Sequence, residues 1–201
     1  SYLHGDLDAI GPSTKDISVH PKIFYWYAYV TALDGNTITF DRPLLIEIRT
    51  TWNPTIRKMN METTTSEMGI ENISFVCNND VVFVHNDYEG FRIIELNEVI
   101  NCWVKNVELV DLEYGIRVHR RSAHNTVSGV LIRDEQRNVS LPSVNPKSTF
   151  INRMKQKAGG GHHPLEVFQG FYNLIEDFEF KEIHWHELSV EGTAAFNVFR
   201  K

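Results

Sequence analysis

Histidine is the side chain that gains or loses its proton near neutral pH. Six of the nine histidines here fall in three tight groups: His119 with His124, His162 with His163, and His184 with His186. Tyr114, Arg117, Arg120, Arg121, Glu166 and Trp185 accompany them. Four chemistries could use such a set. A polysaccharide lyase needs a base to take the proton α to a uronate carboxylate, and a cation to neutralise the enolate-like charge that forms. His163 or His186 is the candidate base and Arg117 the candidate cation. A glycoside hydrolase needs paired carboxylates. Glu113, Glu166, Glu187 and Asp177 are available, but their spacing forces no pair together. A metal site could draw on His162, His163, His184 and His186, but adjacent strand residues point to opposite faces, so only two converge easily. No metal is expected, and calcium is not indicated. Glycan binding without catalysis would stack sugar rings on Tyr114, Trp185 and Tyr172, with Glu166 and His119 as polar contacts. The plain alternative is that these are surface and corner residues of a repeat fold, where stacked like side chains satisfy one another.

What must position them is a repeat. One apolar signature, i, i+3, i+5, recurs from residue 69 onward. It reads Ile70, Ile73, Phe75; then Val104, Val107, Leu109; then Val127, Val130, Ile132; then Ile175, Phe178, Phe180; and Phe199 opens a further set. From Val104 the anchors step by 23, 48 and 24 residues, where 48 is two periods or one period plus an insertion. A second short strand precedes three of these sets, at Ile116 and Val118, Leu165 and Val167, and Leu188 and Val190. Two short strands per unit of about 23 residues suit a parallel β-helix. Helical repeats would need a 3.6-residue period, which is absent.

The register turns spacing into neighbours. His163 and His186 each lie two residues before a core leucine, and Tyr114 lies two before Ile116. The three should stack at about 4.8 Å, one strand spacing. Arg117, Glu166 and Ser189 each follow a core position and should point outward beside them. Asparagine recurs two before the anchors, at Asn125, Asn173 and Asn197, with Cys102 in the same register. A side-chain hydrogen-bond ladder is expected there, on an αL corner that asparagine tolerates.

The segment 133–161 carries Pro142, Pro146 and a Gly159-Gly160-Gly161 run, and reads as a loop inserted between repeats. Near the start, Phe24 to Val30 alternates as a strand. Asp34-Gly35-Asn36 turns the chain, Thr37 to Phe40 returns, and Leu44 to Ile48 offers a third strand. The expected organisation is residues 1–60 as an irregular segment plus a small antiparallel β unit, then 61–201 as the repeats. The fold class is all-β: a right-handed parallel β-helix, or solenoid, with that small N-terminal unit.

Composition narrows the partners. A net charge of −6 argues against duplex nucleic acid, which requires a basic face. No apolar run reaches the roughly 18 residues of a membrane span. Cys77 and Cys102 read as free thiols. Asn72 and Asn138 head glycosylation sequons. Trp52 and Trp103 read as packing residues. The acidic run Glu176, Asp177, Glu179 and Glu182 reads as a solvated face.

The stretch from Ala28 through Asp34-Gly35-Asn36 to Leu44 resembles the small β module of large secreted pectate-lyase-like proteins. Gly69-Ile70-Glu71-Asn72-Ile73-Ser74-Phe75, Asn101-Cys102-Trp103-Val104-Lys105-Asn106-Val107, Gly161-His162-His163 and Asn197-Val198-Phe199 are similar to their β-helix repeats. The resemblance spans most of residues 28–200 outside the 133–158 insertion. It implies the pectin-lyase-like superfamily, an extracellular setting and a carbohydrate partner. It transfers no catalytic residue, because fold alone does not fix function. Phe199 begins a repeat that Lys201 cuts short. Either the chain continues past Lys201, or another subunit stacks on the end, since bare strand edges promote association. The expected function is thus carbohydrate engagement, with lyase action as its catalytic form. The competing expectation is a non-catalytic subunit of an extracellular assembly or filament.

Overall fold

A computed structural model of the protein describes residues 26–44, 47–52, 54–77, 92–133, 135, 163–181, 186–191 and 194–201. Among these the chain is all-β, and the one helical element is a 3-10 turn at Thr50–Trp52. The strands in chain order are β1 (Val30–Asp34), β2 (Thr37–Phe40), β3 (Gly69–Val76), β4 (Arg92–Asn97), β5 (Trp103–Val110), β6 (Tyr114–His119), β7 (Thr126–Arg133), β8 (His163–Phe168), β9 (Leu174–Phe180), β10 (Leu188–Glu191) and β11 (Val198–Arg200). After the β1–β2 hairpin they alternate between two parallel sheets, ordered β3-β5-β7-β9-β11 and β4-β6-β8-β10. Single parallel bridges add a third row, Ser66–Ile100–Ala123–Phe171–Ala195.

The pairing follows the apolar signature. Ile70, Val104, Val127, Ile175 and Phe199 lie in one register, and so do Ile94, Ile116, Leu165 and Leu188. Val127 pairs directly with Ile175, so the step of 48 is one period plus an insertion. The inward residues of β5 to β9 make the main core, with Val104, Leu109, Ile116, Val127, Ile132, Leu165 and Ile175 fully buried.

The i, i+3, i+5 spacing has a structural cause. Asn72, Asn106, Gly129 and Asp177 have φ of 55°, 51°, 65° and 51°, in the left-handed region. Each sits at i+2 and drops out of the ladder, while the residues on either side stay paired. An extra unpaired residue is a bulge, and it shifts the in–out alternation by one. The inward side chains therefore fall at i, i+3 and i+5 instead of i, i+2 and i+4. The residue types match the need, because Gly, Asn and Asp enter αL most cheaply. At Gly129 there is a second reason: a Cβ would lie 2.6 Å from Asn106 Oδ1.

The asparagine ladder forms, with one correction. Asn125 Oδ1 accepts from the Cys102 N–H at 2.9 Å. Asn173 Oδ1 accepts from the Asn125 N–H at 3.0 Å and from Asn125 Nδ2 at 2.9 Å. Asn197 Oδ1 accepts from the Asn173 N–H and Nδ2 at 3.0 and 2.8 Å. The αL corner expected at these asparagines lies one residue earlier, at Asn101, His124, Tyr172 and Phe196. That placement frees the asparagine backbone to enter the strand while its amide ties adjacent repeats.

The N-terminal hairpin also departs from expectation. Trp26 to Tyr29 are not in a strand, and β1 begins only at Val30. Leu44, Glu47 and Ile48 carry no strand assignment. Gly35 has φ +56° and Asn36 does not share it, the pattern of a type II′ turn with glycine first. Most of the expected insertion at 133–161 lies outside the described residues.

Asn173 is 1% exposed, so removing its amide strands two donors of Asn125. Asn173→Ala should cost about 2–4 kcal/mol in chemical denaturation, from lost bonds and unsatisfied buried groups. Gly129→Ala should cost about 2 kcal/mol, because alanine meets the αL penalty and a blocked Cβ position. Denaturation midpoints unchanged in both variants would contradict this account of the bulge and ladder columns.

Candidate functional site

The outward face of the four-stranded sheet collects most of the residues with chemical potential. Register places Tyr114 beside His163. Their rings stack at 5.7 Å between centroids and 13° between planes. His186, just ahead of β10, stacks on His163 at 4.8 Å and 26°. The Arg92 guanidinium lies 4.9 Å from the Tyr114 centroid and extends the row to β4. The start of β6 is held tightly, since a Cβ at Gly115 would lie 2.1 Å from the Pro164 carbonyl oxygen. Only glycine lets β6 and β8 approach so closely beneath the two rings.

A second row runs through Glu95, Arg117, Glu166 and Ser189. Arg117 Nε lies 2.7 Å from Glu166 Oε2. Among the described residues Arg117 Nε–H donates no aligned hydrogen bond, so the contact is an ion pair. The Arg117 guanidinium also lies 4.9 Å from the centroid of Phe168. Glu166 is 4% exposed, and burial raises its carboxyl above the usual carboxylate range. Arg117 opposes that rise and the Glu191 carboxylate adds to it. His163 Nδ1 is 2.9 Å from Ser189 Oγ.

The third row holds Asn97, His119, Phe168 and Glu191. His119 Nδ1 lies 2.7 Å from Glu95 Oε1. Its imidazole is nevertheless held below its ordinary value, first by desolvation, with Arg117 and Arg120 adding to the effect. Burial likewise raises the Tyr114 phenol.

Three expectations change. The His163 and His186 column is not uniformly open: His186 is exposed, whereas His163 is 9% exposed. Glu166 points outward from the sheet but is buried there. Arg117 already has a carboxylate partner, so it is not a ready cation for a uronate. Glu191 was missed by sequence reasoning. Its signal was strand alternation, two residues beyond Ser189 and thus on the same face. Strand β4 was missed too, although Ile94 and Leu96 alternate ahead of Val104 as the later pairs do.

The other candidates are dispersed. Trp185, His162, His184 and Asn138 lie outside the described residues. Asn72 is exposed in the bulge column, where its Oδ1 accepts from Asn106 Nδ2 at 3.2 Å. Trp103 is half-buried and donates Nε1–H to Glu71. Tyr172 belongs to a different column, Tyr29–His124–Tyr172–Phe196, in which the last two centroids are 4.9 Å apart and 4° from parallel. Beside that column lies a cavity of about 310 Å³ lined by Asp41, Arg42, Pro43, Tyr172 and Phe196. Of the hydrolase carboxylates, Glu113 is 2% exposed, Asp177 is in the other sheet and Glu187 is exposed. Among the described residues, neither Cys77 nor Cys102 is in a disulfide.

The class defined to this point is an all-β protein of in-register parallel strands with an aromatic and charged face. Comparisons with family models, curated proteins and solved structures returned no match for the chain. Among the described residues, no helix is long and apolar enough to cross a membrane.

His119 supplies a pH prediction. Its folded pKa lies below the unfolded value near 6.5, so the fold prefers the neutral ring. The stability this preference contributes is complete above about pH 6.5 and is lost as pH falls through the folded pKa. Denaturation midpoints measured from pH 7.5 to 5 should fall less steeply for His119→Gln than for the wild type. Equal slopes would remove His119 as a contributor.

Proposed function

We propose that the protein is a secreted right-handed parallel β-helix of the pectin-lyase-like kind that binds an acidic polysaccharide. Support for the fold reading comes from the two alternating parallel sheets, the bridge row and the asparagine ladder. The observation that carries the binding reading is the row Arg92, Tyr114, His163, His186. It offers flat rings at about one strand spacing, with an exposed guanidinium at one end and an exposed imidazole at the other. Rings accept the apolar faces of sugars, and arginine pairs with carboxylates through two parallel hydrogen bonds. Tyr114 and His186 are the contact residues, with Glu166 in the next row along the strands and His119 in the row beyond it.

Lyase action is the catalytic form of this reading. It would use His186 as the accessible base, because His163 is buried and Arg117 is paired. A structural role in an extracellular assembly is favoured by a different observation. Among the described residues β3 is an edge strand, and it leaves Ile70, Ile73 and Val76 exposed at 37%, 43% and 54%. Unpaired apolar edges invite another strand.

Calorimetric titration with a panel of polyuronates, in the presence of a chelator, tests the binding reading. Tyr114→Ala and His186→Ala should each weaken binding by about tenfold, or about 1.4 kcal/mol. Absorbance from an unsaturated product would add lyase chemistry. Failure to bind any polyuronate at millimolar concentration, together with concentration-dependent association in sedimentation, would transfer the assignment to the structural role.

A further inference from the structure

We infer that His163, Glu166 and Glu191 form a site for a divalent transition-metal ion of mixed nitrogen and oxygen preference, such as Zn²⁺ or Mn²⁺. One donor atom from each side chain lies within 4.8 Å of the others. The topology explains the convergence. Ser189 pairs with Glu166, so Glu191, two residues on, projects from the same face of the neighbouring strand. His163 opens β8 and Glu166 lies at its centre, so two elements supply three ligands.

Electrostatics favours a cation at this point. The charged groups acting on Glu166 are the carboxylates of Glu191 and Glu95 and the guanidiniums of Arg117 and Arg92. With Glu166 itself that is three acids against two bases, around a carboxyl that is 4% exposed. Arg117 meets Oε2 of Glu166, and a monodentate ligand needs only one oxygen, so the ion pair and coordination are compatible. With Nε2 as the ligating nitrogen, Ser189 Oγ against His163 Nδ1 would supply the outer contact that fixes the imidazole ring. One imidazole and two carboxylates suit Zn²⁺ or Mn²⁺, whereas Ca²⁺ and Mg²⁺ prefer all-oxygen shells. A bound ion would clip β8 to β10 beneath His186. The inference stands on this geometry alone and does not require the glycan reading.

The test is calorimetric titration of the full chain, stripped with chelator and free of glycan, with Zn²⁺, Mn²⁺, Ca²⁺ and Mg²⁺ in turn. One equivalent of Zn²⁺ or Mn²⁺ should bind more tightly than Ca²⁺ or Mg²⁺. Glu191→Gln should weaken that binding by about tenfold or more. Glu191 is exposed, so this variant keeps the fold even where Glu166→Gln does not, and circular dichroism checks each. Three results would overturn the site: no binding of either transition metal, equal preference for Ca²⁺, or binding lost in His186→Ala but retained in Glu191→Gln. The glycan titration is run in chelator, so its outcome is independent of this one.

Discussion

The structure depends on one constraint: in the two parallel sheets, each strand is hydrogen-bonded in register to the same positions of the neighbouring repeat. A residue that leaves the strand conformation must do so at the same level in each neighbour, or the ladder breaks. The column Asn72, Asn106, Gly129, Asp177 shows the rule in the backbone. Four bulges nest because all four occur at one level, and a normal strand placed between them would lose a pairing on both sides. The column Asn101, His124, Tyr172, Phe196 shows it at a corner. There the αL cost falls on bulky residues, and ring stacking at 5.3 and 4.9 Å offsets part of it.

Polar groups obey the same geometry, with different consequences for neutral and charged side chains. An asparagine amide carries both donors and an acceptor, so a column of them closes on itself. The carbonyl of Asn173 serves Asn125, and its amide serves Asn197 and the Ser122 carbonyl. Such a column can be buried at little cost because its members are satisfied. A column of like charges cannot, because stacked neighbours repel at one strand spacing. The outward face of the four-stranded sheet solves this by mixing types: aromatic and imidazole rings in one row, alternating charges in the next.

Much of the fold was legible because stacking repeats a short message. The anchors Val104, Val127, Ile175 and Phe199 and the asparagines two residues before them could be read from spacing alone, and the pairing matches residue for residue. Strand β4 carries the same signal in Ile94 and Leu96, which pair in register with Ile116 and Val118 and are the first pair of their row among the described residues. The bulge was hidden although its Asn, Asn, Gly, Asp column was in plain view. An i, i+3 step reads as a spacing until the missing pair is known. Burial was the least legible property. Alternation correctly sent Glu166 outward, but outward on an inner strand is not the same as exposed. Packing of Arg117 and His119 on Phe168 closes that part of the face, and no pattern within one strand reports it.

The row Glu95, Arg117, Glu166, Ser189 shows where the repeat logic stops. Its first three members alternate in sign, so each charge meets an opposite one across a strand spacing. Continued alternation would place a cation on β10 beside Glu166. The chain has Ser189 there, a small neutral hydroxyl engaged with His163, and the next outward residue on β10 is a second acid, Glu191. Glu166 is therefore compensated on the β6 side and faces excess negative charge on the β10 side. A buried carboxyl in that position has two ways to lower its energy: hold its proton, or share a bound cation. Burial raises the Glu166 carboxyl, which is the direction of the first. The imidazole on the other side makes the second available to a metal ion, because a nitrogen donor joins the two oxygens at the place where the sign alternation fails.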